Sequence, residues 1–180
     1  MASAFRFTGD FAKLNQWVKQ VESAGKQQVL REVNKALAEE VIDLIGEGFR
    51  RQEDPYGKGW KAKAIADGRA ILVGRTARLR NGWKRTRLSA DGFTISPSVK
   101  YAGYHQSGTG IYGPRGTPIR PKSAKVLAFR SGTKRGGKIF ARSVKGAPAR
   151  KMVPDRGLPA RWRSRLVDAA SDYMRGHFGG

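Results

Sequence analysis

After Glu53 the chain contains no further glutamate, and from Pro55 onward it sets 28 Lys and Arg against five Asp. Residues 1–54, by contrast, carry 8 basic and 9 acidic side chains. A fold made from the later two-thirds must spread like charges over its surface, because too few carboxylates are present to pair them and compaction works against their repulsion. That surplus predicts a polyanionic partner, either phosphates or an acidic protein surface. The formal net charge of +22 sits on 180 residues that are 39% hydrophobic and 9% aromatic, which suits a single domain with one modest core.

Several classes fall away on composition. With no Cys and only His105 and His177, neither a disulfide framework nor a Cys/His zinc site can be assembled. No apolar run reaches the roughly 18 residues a membrane helix needs, and Met1 to Arg6 lacks the apolar core of a secretion signal. A soluble, unexported chain without membrane contact is expected.

Periodicity supplies the elements. Phe11, Leu14, Trp17, Val18 and Val21 recur at helical spacing after Thr8 or Asp10, predicting a short helix that ends near Gly25. Val29, Leu30, Val33, Leu37, Val41, Leu44, Ile45 and Phe49 form a longer apolar stripe opposed by Arg31, Glu32, Lys35, Glu39 and Asp43. It stops before Asp54-Pro55-Tyr56-Gly57-Lys58-Gly59-Trp60, a turn after which Trp60 is expected to fold back onto the stripe. Thr76 to Arg80 suits a short helix capped by Thr76. Lys84–Leu88 and Phe93–Val99 flank Ser89-Ala90-Asp91-Gly92, whose Asp-Gly pair signals a turn and predicts a hairpin, with Pro97 at an edge or a strand end. Pro159 suits the first turn of a last helix carrying Trp162, Leu166, Ala169, Ala170 and Tyr173 on one face. The fold expected is α+β: amphipathic N-terminal helices (10–52), a turn, short helix and hairpin (55–106), a basic arm (107–146) and a C-terminal helix (147–180), the helices packed on a small antiparallel sheet.

The arm is rich in Gly, Pro, Lys and Arg. Within it Val126–Phe129 and Ile139–Val144 read as one strand pair around a flexible tip, Ser131 to Gly137. Arg115, Arg120, Lys122, Lys125, Arg130, Lys134, Arg135, Lys138, Arg142 and Lys145 are its candidate contacts with a protein partner or with DNA phosphates. No helix-turn-helix, finger or ribonucleoprotein motif accompanies them, so binding would follow shape and charge rather than base sequence.

Catalytic signatures are poor. Gly108-Thr109-Gly110-Ile111-Tyr112-Gly113 spells Gly-x-Gly-x-x-Gly, but Pro114 and Pro118 follow where a dinucleotide fold needs a helix, so a flexible turn is the expectation. His105 and His177 have no recognisable nucleophile elbow or buried acid to work with. A metal-dependent nuclease needs clustered carboxylates, whereas five Asp are scattered after Pro55. The chain is expected not to be an enzyme and to hold no metal or cofactor.

The order of four segments is informative. Phe49-Arg50-Arg51-Gln52-Glu53-Asp54-Pro55-Tyr56-Gly57-Lys58-Gly59-Trp60 is followed by Gly74-Arg75-Thr76-Ala77-Arg78-Leu79-Arg80-Asn81-Gly82-Trp83. Tyr101-Ala102-Gly103-Tyr104-His105-Gln106-Ser107-Gly108 comes next, and Ala147-Pro148-Ala149-Arg150-Lys151-Met152-Val153-Pro154 precedes the last helix. Over nearly the whole chain this order resembles the tailed-phage virion-morphogenesis, or tail-completion, proteins. Thr76-Ala77-Arg78-Leu79 departs from that family's Thr-Gly-x-Leu. Gly108-Thr109 and Pro121 to Phe129 look closer to its minor-tail or head-tail joining branch.

The resemblance implies a non-enzymatic virion protein, made in the bacterial host cytoplasm, that forms a neck ring of about six or twelve copies between head and tail. It implies portal or connector and tail-tube proteins as partners, with packaged DNA as a second possible anion. The acidic face of the N-terminal helix and the basic arm are the candidate pair for ring contacts. A nonspecific nucleic-acid-binding protein using the arm is the alternative.

Overall fold

The computed structural model describes residues 25–63, 68–130 and 137–178. In chain order the elements are helix α1 (Lys26–Arg51), the single turn α2 (Arg78–Asn81), strands β1 (Trp83–Ser89) and β2 (Gly92–Pro97), and helix α3 (Ala102–Ser107). A 3-10 turn at Gly110–Tyr112, strands β3 (Leu127–Arg130) and β4 (Lys138–Ala141), and helix α4 (Ala160–Phe178) follow. The strands form two separate antiparallel pairs, and the fold is α+β. The short helix expected from Asp10 lies outside the described residues. None of the described helices is long and apolar enough to cross a membrane.

Contacts gather the described residues into two compact units, one of 25–47, 79–98 and 156–178, the other of 48–78 and 99–155. In the first, α1 buries Val29, Val33, Ala38, Val41, Leu44 and Ile45, positions that share the inward half of the helix. Val29 and Val33 meet Ala170 and Met174 of α4, with Leu37 and Tyr173 packed at the margin. Helix α4 buries Trp162, Leu166, Ala170 and Met174, a strict four-residue stripe that begins right after Pro159, whose carbonyl accepts the Arg163 N–H at 2.9 Å. Each such aliphatic side chain, once buried, contributes about 1.5–3 kcal/mol.

Charges stitch the two helices where the stripe ends. Glu47 pairs with Arg161 and, at 3.1 Å, with Arg165, which also reaches Glu40 at 2.7 Å. Burial lifts the Glu40 carboxyl above its ordinary range against the pull of Arg165. Arg165 is held above its usual value, first by its hydrogen bond to Glu47 and then by the Glu40 charge.

The hairpin of the first unit turns within the expected Ser89–Gly92 segment: Ser89 pairs with Gly92, which sits at φ 150, and Ala90 and Asp91 are the two loop residues. Asn34 of α1 donates from Nδ2 to the carbonyls of Ser89 (3.0 Å) and Ala90 (2.8 Å), which pins the turn to the helix. A register shift between Arg85 and Arg87 bulges β1 at Thr86, and Pro97 ends β2 opposite Trp83, where no ladder donor is required.

The second unit starts with the last turn of α1. Gln52 takes a left-handed φ of 56, and the Glu53 N–H returns to the Gly48 carbonyl at 3.1 Å, a Schellman stop built without glycine at its left-handed position. In Asp54 to Gly57 the Gly57 N–H bonds the Asp54 carbonyl (3.0 Å), while Asp54 Oδ1 accepts from Tyr56 N and Lys58 N, both at 2.9 Å. The loop returns Trp60 onto Phe49, edge to face with ring centroids 5.3 Å apart. Further on, Ala77 holds φ 49, and α2 begins only at Arg78, one position beyond it.

Candidate functional site

The segments that carried the family resemblance, other than the one around α2, converge in the second unit on the strip from Arg150 to Asp155. Gln106, on the last turn of α3, uses both ends of its amide there. Oε1 accepts from Met152 N (2.8 Å) and Val153 N (3.3 Å), and Nε2 donates to the Val153 carbonyl at 2.8 Å. Trp60 donates from Nε1 to the Lys151 carbonyl at 2.9 Å. The Tyr56 hydroxyl receives the Asp155 N–H at 3.0 Å, and Lys151 pairs with Asp155 at 2.7 Å. A strip with no regular secondary structure thus has its backbone groups satisfied by side chains from helix α3 and from the turn at Tyr56 to Trp60.

Arg150 is the buried cation of this knot, 8% exposed. Its backbone N–H bonds the His105 carbonyl at 2.7 Å, and its guanidinium donates to the carbonyls of Lys61 (2.9 Å) and Ala62 (3.1 Å). Burial pulls its pKa down. His105 is half-buried with its ring edge-on to Tyr101 at 5.9 Å, and burial followed by the Arg150 charge holds its pKa below 6.5. The sequence marks His105, Gln106 and Arg150 as a motif without indicating what they do. Here they are fasteners, and no group of three or more His, Asp or Glu able to hold a metal gathers among the described residues.

The arm leaves this knot through a tight crossing. Thr109 N bonds the Ala147 carbonyl at 2.9 Å while Ala147 N bonds Thr109 Oγ1 at 2.9 Å, and Ile111 N bonds the Lys145 carbonyl at 2.9 Å. Ile119 and Val144 exchange a pair of backbone bonds at 2.9 and 3.0 Å, which takes Val144 out of the expected strand pair and into a separate bridge. At Gly110 (φ 63) a Cβ would stand 2.1 Å from the Lys145 carbonyl oxygen, and at Gly146 (φ 90) 2.2 Å from that of Thr109. The Gly-x-Gly-x-x-Gly run, expected as a flexible turn, is a close backbone crossing that only glycine fits.

Beyond the crossing, β3 and β4 form the expected ribbon, with Leu127 opposite Ala141, Ala128 opposite Phe140, Phe129 opposite Ile139 and Arg130 opposite Lys138. The cations of the arm are spread along it. Arg115, Arg120, Lys122, Lys125, Lys138, Arg142 and Lys145 are exposed, with Arg120 and Lys145 flanking the Ile119–Val144 bridge. Arg130 lies in β3, and Lys134 and Arg135 fall outside the described residues. Two features went unread in the sequence: the amide clamp of Gln106 and the apolar side chains the ribbon leaves exposed. Phe129 and Ile139 are 42% and 41% exposed and Phe140 is 63%. The alternation of Phe129 with Ala128 and of Ile139 with Lys138 was the available signal for the first two, and Phe140 gave none.

Compared with family models, with curated proteins and with solved structures, the chain finds no match in any of the three.

Proposed function

We propose that this chain is a structural subunit of a tailed-phage virion, acting in tail completion and head-tail joining as one of about six or twelve copies in a neck ring. One observation carries the reading. The turn ending in Trp60, the Tyr101 to Gly108 segment and the Arg150 strip meet in one hydrogen-bonded knot, with side chains reaching across 46 and 91 positions. In such an arrangement the shared motifs are architecture, and work falls to the exposed arm that the knot holds out. No catalytic step is assigned to it. The partners are further copies and the portal, connector or tail-tube proteins on either side of the ring.

Mass spectrometry of washed, nuclease-treated virions tests the reading, with copies counted against the major capsid protein. About six to twelve copies per particle support it, and absence from the particle overturns it.

A second reading, nonspecific nucleic-acid binding by the arm, draws on the acid-free interval from Gly92 to Pro154. It requires affinity for duplex DNA to fall steeply, by about a hundredfold or more, between low and physiological salt.

A further inference from the structure

Of the large hydrophobic side chains left exposed among the described residues, all but Phe178 belong to the second unit. The ribbon concentrates them. Its register places Leu127, Phe129, Ile139 and Ala141 on one face, which therefore carries no polar side chain. On the opposite face Phe140 stands 63% exposed because its cross-strand neighbour, Ala128, is too small to cover the ring. A two-stranded ribbon is marginally stable by itself in water, and its outer edges present unpaired N–H and C=O groups to any added strand.

The charges say what covers it. Between Gly92 and Pro154 there is no carboxylate, and Lys122, Lys125, Lys138 and Arg142 lie exposed around the ribbon. A second copy carries a net charge of +22 itself, 36 Lys and Arg against 14 Asp and Glu, so it brings more repulsion than pairing to the ribbon's cations. Many of its described carboxylates already have partners. Glu32 pairs with Lys35, Glu39 with Arg85, Glu40 and Glu47 with Arg165, and Glu53 with Arg51. Asp155 and Asp172 pair with Lys151 and Arg175. A nucleic acid would satisfy the cations, but its sugar-phosphate backbone gives an all-apolar face of Leu, Phe and Ile nothing to bury against. Exposed Phe with no Glu or Asp suits the desolvated centre of a protein–protein interface, with the lysines in its polar rim.

We infer that the β3–β4 ribbon is a docking site for a different protein, one that lays an apolar strand bordered by carboxylates against the Phe129–Ile139 face. The inference rests on the proposed reading only in that the chain works through its interfaces. Apolar anchors supply the buried area, and the cations set orientation and encounter rate.

The test uses the full chain and a fluorescein-labelled peptide alternating Glu with Val and Phe, followed by anisotropy. A scrambled peptide, polyglutamate and a short DNA duplex serve as competitors. The expected result is tighter binding of the alternating peptide than of polyglutamate, weakened about tenfold by Phe129→Ser with Ile139→Ser and, independently, by Lys122→Glu with Lys125→Glu. Circular dichroism and sedimentation of each variant establish that it stays folded. Equal competition by polyglutamate or DNA, with binding indifferent to the Phe129/Ile139 pair, overturns the inference in favour of charge alone. Self-association of the wild type that Phe129→Ser with Ile139→Ser abolishes overturns it in favour of a second copy. The virion count decides the neck reading separately: peptide docking by a protein absent from particles keeps the ribbon's role and removes the ring.

Discussion

Gln106 occupies one position and satisfies three backbone groups of a strip 46 and 47 residues away, all of them on the buried residues Met152 and Val153. Gln106→Leu keeps the size and loses all three bonds, and urea denaturation is expected to show a loss of about 3 kcal/mol. Gly110→Ala is expected to cost about 2–4 kcal/mol, because a left-handed φ of 63 coincides with a Cβ 2.1 Å from the Lys145 oxygen. Gly57→Ala, at φ 84 with open space around it, costs only about 1 kcal/mol. His105 adds a pH dependence. Its folded pKa lies below 6.5, so the neutral ring's contribution is fully present above 6.5 and is lost as pH falls toward the folded value, when a second cation forms beside Arg150. The melting temperature should therefore fall as pH drops from 7 toward 5, and His105→Gln should flatten that slope while preserving the backbone bond to Arg150. None of these roles was legible in the sequence. A glutamine that clamps backbone leaves no periodicity, and a glycine needed for a crossing looks like one needed for flexibility.

At the scale of elements the sequence was far more readable. The apolar faces of α1 and α4 were readable because helical spacing is a local property of the chain. The ribbon β3–β4 was expected for the same kind of reason. Where reading and structure part, a distant residue intervenes. The C-terminal helix, expected over 147–180, runs only Ala160–Phe178, since Gln106 and Trp60 hold the backbone before it as an irregular strip. Val144, expected in the second strand of the ribbon, pairs with Ile119. The first hairpin turns where expected, and Asn34 holds the Ser89 and Ala90 carbonyls there. Asn34→Ala is expected to destabilise the first unit by about 1–2 kcal/mol and to speed hydrogen exchange at the Gly92 amide more than at the amides of α4.

At the scale of the molecule, charge dominates. A formal +22 on 180 residues, with the carboxylates of α1 engaged by α4 and the hairpin, leaves the arm's cations without internal relief. Thermal stability is expected to rise with sodium chloride over the range in which the Debye length shrinks from about 30 to about 10 Å, the reverse of a protein held together by exposed ion pairs. Differential scanning calorimetry across that series checks it.

The crossing at Gly110 and Gly146 also governs tolerance to change. Two legs that are tied together at their base, and again at Ile119 and Val144, make everything between residues 120 and 143 a cassette whose ends stay in place whatever its contents. Changes of length or sequence inside that interval are expected to leave the melting of the knot unchanged, which thermal denaturation of variants shortened or lengthened there would check.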